Sequence, residues 1–95
     1  MSTREAADDY TGIVLMLNEN WRVIVCRDGI QWILQHRGSP KTSRKDDWRG
    51  RSYCRTSEAL RRCTREYAGI VSRTALEILA SFPMRIEDRA MEQVR

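Results

Sequence analysis

Residues 21–37 read WRVIVCRDGIQWILQHR and carry the strongest structural signal in the chain. The segments on either side of Asp28-Gly29 are rich in β-branched and aromatic residues, which favour strands. Asp-Gly is typical of a two-residue type I′ turn, so the stretch predicts a β-hairpin with strands near 21–27 and 30–37.

The register of this hairpin divides its side chains between two faces, because successive residues of a strand point to opposite sides. The predicted core face holds Trp21, Val23, Val25, Trp32 and Leu34. The predicted outer face holds Arg22, Ile24, Cys26, Gln31, Ile33, Gln35 and Arg37.

A further strand is predicted after the hairpin. The loop 38–47 contains glycine, proline, serine and charged residues, and residues 48–55 (WRGRSYCR) then alternate polar and apolar side chains. Simple alternation puts Trp48, Gly50, Ser52 and Cys54 inward. It puts Arg49, Arg51, Tyr53 and Arg55 outward, on the same side as the outer face of the hairpin.

Two helices are predicted to follow this strand. Thr56 or Ser57 is suited to cap the first helix, and Gly69 ends it. Leu60, Cys63 and Tyr67 supply its apolar spacing. Ser72 caps the second helix, which stops before Phe82-Pro83. Its predicted inward residues are Ala75, Leu76, Ile78 and Leu79.

The predicted fold class is α+β. Three antiparallel strands form a sheet, with one or two C-terminal helices covering one face. Residues 13–17 (IVLML) are either a fourth strand or a helical turn, and the pattern does not separate these alternatives. We expect residues 1–12 to be a mobile arm, 13–84 a single domain and 85–95 a charged tail.

The basic charge is concentrated in the middle of the chain. Residues 21–67 carry twelve basic and five acidic side chains, a net +7, whereas residues 1–20 carry one basic and four acidic ones, a net −3. No apolar run approaches the length of a membrane span. With an acidic start and three cysteines in no evident framework, the sequence favours a cytoplasmic protein with reduced thiols.

The predicted binding surface is the outer face of the sheet. Arginine and glutamine read base edges and phosphates, and tyrosine stacks on unpaired bases, so a basic sheet face favours nucleic-acid binding. The candidate residues are Arg22, Gln31, Gln35, Arg37, Arg49, Arg51, Tyr53 and Arg55. The alternatives are a solvated face with no partner and a surface that binds a protein.

Residues 53–59, YCRTSEA, bring a resemblance to known proteins. The junction of strand, threonine and Glu-Ala resembles the sheet-plus-helix DNA-binding modules at the N-termini of tyrosine recombinases, over about residues 21–68. Residues 21–68 also resemble small proteins of bacterial phage and mobile elements. The long loop at 38–47 and the second helix depart from the recombinase pattern.

Catalytic and metal chemistry find little support in the sequence. Cys26, Cys54, Cys63 and His36 do not converge in the predicted register, so no zinc site, nucleophilic pair or cofactor is expected. We therefore expect a binding protein, not an enzyme. The first hypothesis is a nucleic-acid-binding accessory protein, and the second is a protein-interaction module or inhibitor, for example of the anti-CRISPR type, that docks on a nucleic-acid-processing machine.

Overall fold

The computed structural model describes residues 2–38 and 47–89. The helices and strands, in chain order, are β1 (Ile13–Met16), β2 (Trp21–Val25), β3 (Trp32–Arg37), β4 (Trp48–Cys54), α1 (Ser57–Tyr67) and α2 (Arg73–Ala80). The strands form one antiparallel sheet in the order β1-β2-β3-β4, so neighbours in sequence are neighbours in space. The predicted α+β class, with helices after an antiparallel sheet, is confirmed.

The hairpin register is as predicted, but the turn is of another type. Val25 pairs with Trp32, as expected for this register. The strands stop earlier, however, and the Cys26 amide donates to the Gln31 carbonyl oxygen across a loop of residues 27–30. Within this loop only Gly29 has a positive φ, 71°, so Asp28 does not adopt the type I′ conformation. The longer loop keeps the register because it adds one residue on each side.

Residues 13–16 form an edge strand, which resolves the first open alternative. Leu15 pairs with Val23 of β2, after an irregularity in register near Ile13. A turn at residues 18–20 joins the two strands, and the Leu17 amide donates to the Trp21 carbonyl oxygen over 3.0 Å.

Both helices begin at the predicted caps. The Thr56 hydroxyl accepts a hydrogen bond from the Ala59 amide, and α1 is followed by Gly69 with φ 71°. Ser72 caps α2 by accepting from the Ala75 amide. These side chains satisfy amide groups that a helix N-terminus leaves free.

The second helix buries fewer residues than its apolar pattern predicts. Ala75 and Leu79 are buried, whereas Leu76 and Ile78 are 43% and 42% exposed. A helix of eight residues that rests on α1 and β1 along one stripe leaves its flanking positions outside the contact. The expectation that all four face inward is therefore wrong.

The main core lies between the sheet and the two helices. The predicted core face of the hairpin is confirmed, since Val23, Trp32 and Leu34 are fully buried against Leu60 of α1. Full burial of each such side chain contributes roughly 1.5–3 kcal/mol to stability. A smaller apolar cluster lies on the opposite side of the sheet.

The ends of the predicted domain differ from the expectation. Residues 85–89 pack on the domain, because the Ile86 amide donates to the Arg55 carbonyl oxygen and the Ile86 side chain is buried. The predicted charged tail thus fails for this part, while residues 90–95 lie outside the described residues. Residues 39–46 of the predicted loop also lie outside them.

No helix in the described ranges is long and apolar enough to cross a membrane.

Candidate nucleic-acid interface

The sheet face that was expected to bind a partner is covered by residues 2–12. Ala7 and Tyr10 of this segment are buried, and the Tyr10 hydroxyl donates to the Val25 carbonyl oxygen over 2.8 Å. Tyr10 packs with Ile24 and Ile33, which an open face would have exposed. The expectation of a mobile N-terminal arm and a solvent-facing sheet is contradicted, because this segment buries the apolar centre of that face.

Arg22 is the main polar anchor under this segment, with only 1% of its surface exposed. Its Nη2 donates to the carbonyl oxygens of Glu5 and Ala7 at 3.0 and 2.9 Å, and its Nε donates to Gln35 Oε1 at 2.7 Å. Gln35 is buried too, and its Nε2 donates to the Glu5 carbonyl oxygen. Both side chains are therefore held inside the protein in this arrangement, and neither is exposed on the surface as the prediction required.

Burial has a cost for the charge on Arg22. It lowers the pKa of the guanidinium to about 10, although the carboxylate of Asp8 acts in the opposite direction. The side chain therefore remains charged near neutral pH. Backbone carbonyls and an amide oxygen take up its hydrogen bonds, which is how a buried cation avoids unmatched desolvation.

A β-bulge in β4 overturns the simple alternation predicted for this strand. Leu34 pairs with Ser52, but the next residue of β3, Gln35, pairs with Gly50, so Arg51 is an extra residue in β4. The side chains before Arg51 are thereby moved to the other face. Ser52 and Cys54 point toward the helices as predicted, whereas the inward placement of Trp48 and Gly50 is wrong.

Trp48 belongs instead to the N-terminal side of the sheet. Two guanidinium groups contact its ring, with the Cζ atoms of Arg22 and Arg37 at 4.2 and 4.8 Å from the ring centroid. Its Nε1 donates to the Asp8 carboxylate at 3.0 Å, and the same carboxylate forms an ion pair with Arg37. Arg37 is thus partly engaged within the protein.

The remaining candidate residues lie along or beside the free edge of the sheet. Arg49 pairs with His36 on the helix side of β4, and the Cζ of Arg51 lies 4.1 Å from the centroid of the Tyr67 ring on α1. Tyr53 points to the opposite side and is 61% exposed. It crosses Gly50, where a Cβ would collide with its phenol oxygen.

Arg55 and Gln31 lie at the hairpin end of the sheet. Arg55 is exposed just after β4 and lines a cleft of about 190 Å³ with Ile30 and Glu87. Gln31 is half-buried, and its carbonyl oxygen accepts a hydrogen bond from the Cys26 amide. The eight candidates therefore do not share one face.

Arg49, Arg51 and Arg55 together define what we call the basic edge. All three are exposed, and none takes part in an ion pair with another residue of the described ranges. At a rise of about 3.3 Å per residue they are distributed over roughly 20 Å of chain. Sequence reasoning found these residues but put Arg49 and Arg51 on the wrong surface, because the bulge leaves no signal in the alternation of side chains.

The helix α1 brings one further basic residue toward this edge. Arg62 lies close enough to Cys54 for its charge to act on the thiol, beside the packed Cys63. Arg62 was not among the residues predicted for the site. The feature of the sequence that could have indicated this position is that Arg62 is next to Cys63, which faces β4.

The cysteines offer little nucleophilic chemistry in this arrangement. Burial, and secondarily the neighbouring Cys63, raises the pKa of the Cys54 thiol to about 11, so it stays protonated at neutral pH. Cys26 lies in the cluster on the opposite side of the sheet. His36 contacts the Arg37 carbonyl oxygen through Nδ1 and the ring of Trp21. In the part of the chain that is described, no three metal-ligating side chains converge.

Comparisons with protein-family models, curated proteins and solved structures found no match to this chain. The resemblance to recombinase modules and to small phage proteins therefore stays a prediction.

Proposed function

We propose that this chain is a small nucleic-acid-binding accessory protein that contacts the phosphate backbone through its basic edge. The observation that carries the proposal is a set of three exposed arginines with no acidic partner among the described ion pairs: Arg49 and Arg51 on the edge strand β4, and Arg55 just after it. Arginine suits this role because its planar guanidinium forms paired hydrogen bonds with phosphate oxygens.

The charge distribution supports the same interpretation. Asp8, one of the four acidic side chains in residues 1–20, lies on the side of the sheet opposite the helices, where it is already paired with Arg37. Residues 21–67 carry the excess of twelve basic over five acidic side chains, and Arg49, Arg51 and Arg55 of this range are exposed and lie outside the described ion pairs. A local excess of this kind attracts polyanions and speeds their encounter.

Two aromatic side chains near the basic edge add a surface for base stacking and a cation–π contact. Tyr53 is exposed on the same edge strand, on the side opposite Arg49 and Arg51, and offers a ring on which an unpaired base can stack. Tyr67 holds the guanidinium of Arg51 by a cation–π contact, which limits the freedom of that arginine in the unbound protein. This combination favours a single-stranded over a duplex target.

The test is fluorescence anisotropy with labelled single-stranded DNA, single-stranded RNA and duplex DNA at several salt concentrations. The variant Arg49→Ala/Arg51→Ala/Arg55→Ala should bind more weakly, and the slope of log affinity against log salt should flatten by about 2–3 units, roughly 1 for each phosphate that is no longer neutralised. Tyr53→Ala should weaken the single-stranded complexes more than the duplex complex.

The matched control is Arg73→Ala/Arg85→Ala, which removes two exposed arginines that pair with Glu77 and Glu87. It should change affinity little. Equal losses of affinity in both variants would show that the chain attracts nucleic acids through its overall charge and not through a defined site. If the wild type binds no probe at about 50 mM salt, where even non-specific contacts are strong, the proposal is overturned in favour of a protein-interaction module or inhibitor.

A further inference from the structure

A second surface lies between the two helices, away from the basic edge. It is a groove of about 340 Å³ lined by Arg61 and Arg65 of α1 and by Leu76 and Leu79 of α2. Leu79 is buried and forms the floor, whereas Leu76 is 43% exposed and forms a wall. The groove is therefore basic along one helix and apolar along the other.

This arrangement follows from helix geometry. Arg61 and Arg65 are four residues apart, and Leu76 and Leu79 are three apart, so each pair lies on one side of its helix. Packing of α2 through Ala75 and Leu79 leaves Leu76 facing the arginines across the groove. The caps at Thr56 and Ser72 stabilise the two helices that form the walls of the groove.

The charges of the groove are not neutralised from within. Neither Arg61 nor Arg65 belongs to an ion pair among the described residues, and the carboxylate of Glu77 on α2 is directed to Arg73 instead. Two cations thus flank an apolar surface that is exposed to water. The complementary ligand carries carboxylates and an aliphatic side chain on the same face.

We propose that this groove binds an acidic amphipathic segment of a partner protein, with an apolar side chain on Leu76 and Leu79 and carboxylates on Arg61 and Arg65. Helices bind to grooves in this manner through apolar side chains spaced by three or four residues. A nucleic acid would match the arginines but would leave the leucine wall without an apolar partner. The site is separate from the basic edge and does not depend on the function proposed for it.

The probe is a fluorescein-labelled synthetic helical peptide of alternating glutamate and leucine pairs, titrated with the full chain and followed by anisotropy. Two comparison peptides replace either every glutamate by glutamine or every leucine by serine. We expect the parent peptide to bind and each comparison peptide to bind on the order of tenfold more weakly, since each lacks one of the two kinds of interaction.

Variants of the chain locate the binding. Leu76→Ser should weaken the peptide complex on the order of tenfold, whereas Ile78→Ser, an equally exposed apolar residue on the other flank of α2, should not. Arg61→Gln/Arg65→Gln should weaken it and reduce its salt dependence, and Arg73→Gln should leave it unchanged. Circular dichroism checks that all variants keep their helices.

Three results would overturn the proposal. One is the absence of binding by the parent peptide at about 1 mM, the weak limit for a specific complex. Another is equal binding by the serine peptide, which would show attraction by charge alone. The third is displacement of the peptide by a single-stranded oligonucleotide together with loss of oligonucleotide binding in Arg61→Gln/Arg65→Gln, which would assign the groove to the nucleic-acid surface.

Discussion

At the scale of single residues, Arg22 and Gly29 show how differently a local rule and a tertiary contact act. Gly29 takes a positive φ that its position in the loop requires, and nothing lies within 4 Å of a Cβ built on it. Arg22 alternates with core residues on a strand, yet it is buried by a segment that precedes it in the chain by about ten residues or more. The first feature is readable from two adjacent residues, and the second is not.

Gly29→Val should lower the free energy of unfolding by more than about 1 kcal/mol, because a β-branched residue resists a positive φ. The open space around the Cβ excludes a steric clash as the cause. Urea denaturation measures the loss. Gly29→Asn is the matched control and should lose less, since asparagine tolerates this region. Equal losses in the two variants would contradict the assigned backbone strain.

Arg22→Met should be much more costly than its position on a strand indicates. The change leaves Gln35 Oε1 without its donor, which costs about 1–3 kcal/mol for a buried group, and it removes one of the two donors from each of the carbonyl oxygens of Glu5 and Ala7. We expect an unfolding free energy lower by roughly 3 kcal/mol or more. Arg73→Met removes only an exposed ion pair and should cost less than about 0.5 kcal/mol. A small loss for Arg22→Met would show that the N-terminal segment is loosely held.

At the scale of elements, the N-terminal segment acts as a third layer although it contains no helix or long strand. It closes one face of the sheet through the Tyr10 ring, the Arg22 hydrogen bonds and the contact between Asp8 and Trp48. The Trp48 amide also donates to the Ala6 carbonyl oxygen at the beginning of β4. These contacts join residues distant in sequence, and apart from the packing of the Tyr10 ring each is a hydrogen bond of a polar group.

Deletion of residues 2–11 should therefore lower the melting temperature and expose an apolar surface. Ile24, Ile33 and Cys26 lose their cover, and Arg22 loses two carbonyl acceptors. Differential scanning fluorimetry and binding of an apolar dye measure the two effects. Tyr10→Phe is the mild counterpart and should cost about 1 kcal/mol, because it removes one hydrogen bond. An unchanged melting temperature after the deletion would restore the expectation of a peripheral arm.

At the scale of the whole molecule, the sheet is covered on both faces. The exposed basic residues considered for binding therefore lie at one edge of the sheet and in the groove between the helices. The basic edge and the α1–α2 groove are both formed where layers end. An antiparallel sheet commonly leaves one face to solvent, and that rule underlay the predicted binding face. Here the chain uses its first residues to cover that face, which moves the basic residues available for binding to β4 and α1.

Much of the fold was predictable from local patterns. The hairpin register follows from the parity of its apolar residues around Asp28-Gly29, and a wrong turn type leaves it intact because the loop lengthens symmetrically. The helix caps at Thr56 and Ser72 are equally local, since each satisfies amides three residues away. Such features depend on interactions between residues that are close in the sequence, so they can be predicted from it directly.

Only the tertiary structure decided which arginines are exposed on the surface and which are buried. The bulge at Arg51 reverses the faces of Trp48 and Gly50, although the alternation of residues 48–55 is regular. Arg22 and Arg49 look alike in sequence, yet one is buried under residues 2–12 and the other is exposed on the edge strand. The physical reason is that burial of a polar side chain depends on donors and acceptors brought from elsewhere in the chain, and periodicity within one strand carries no information about them.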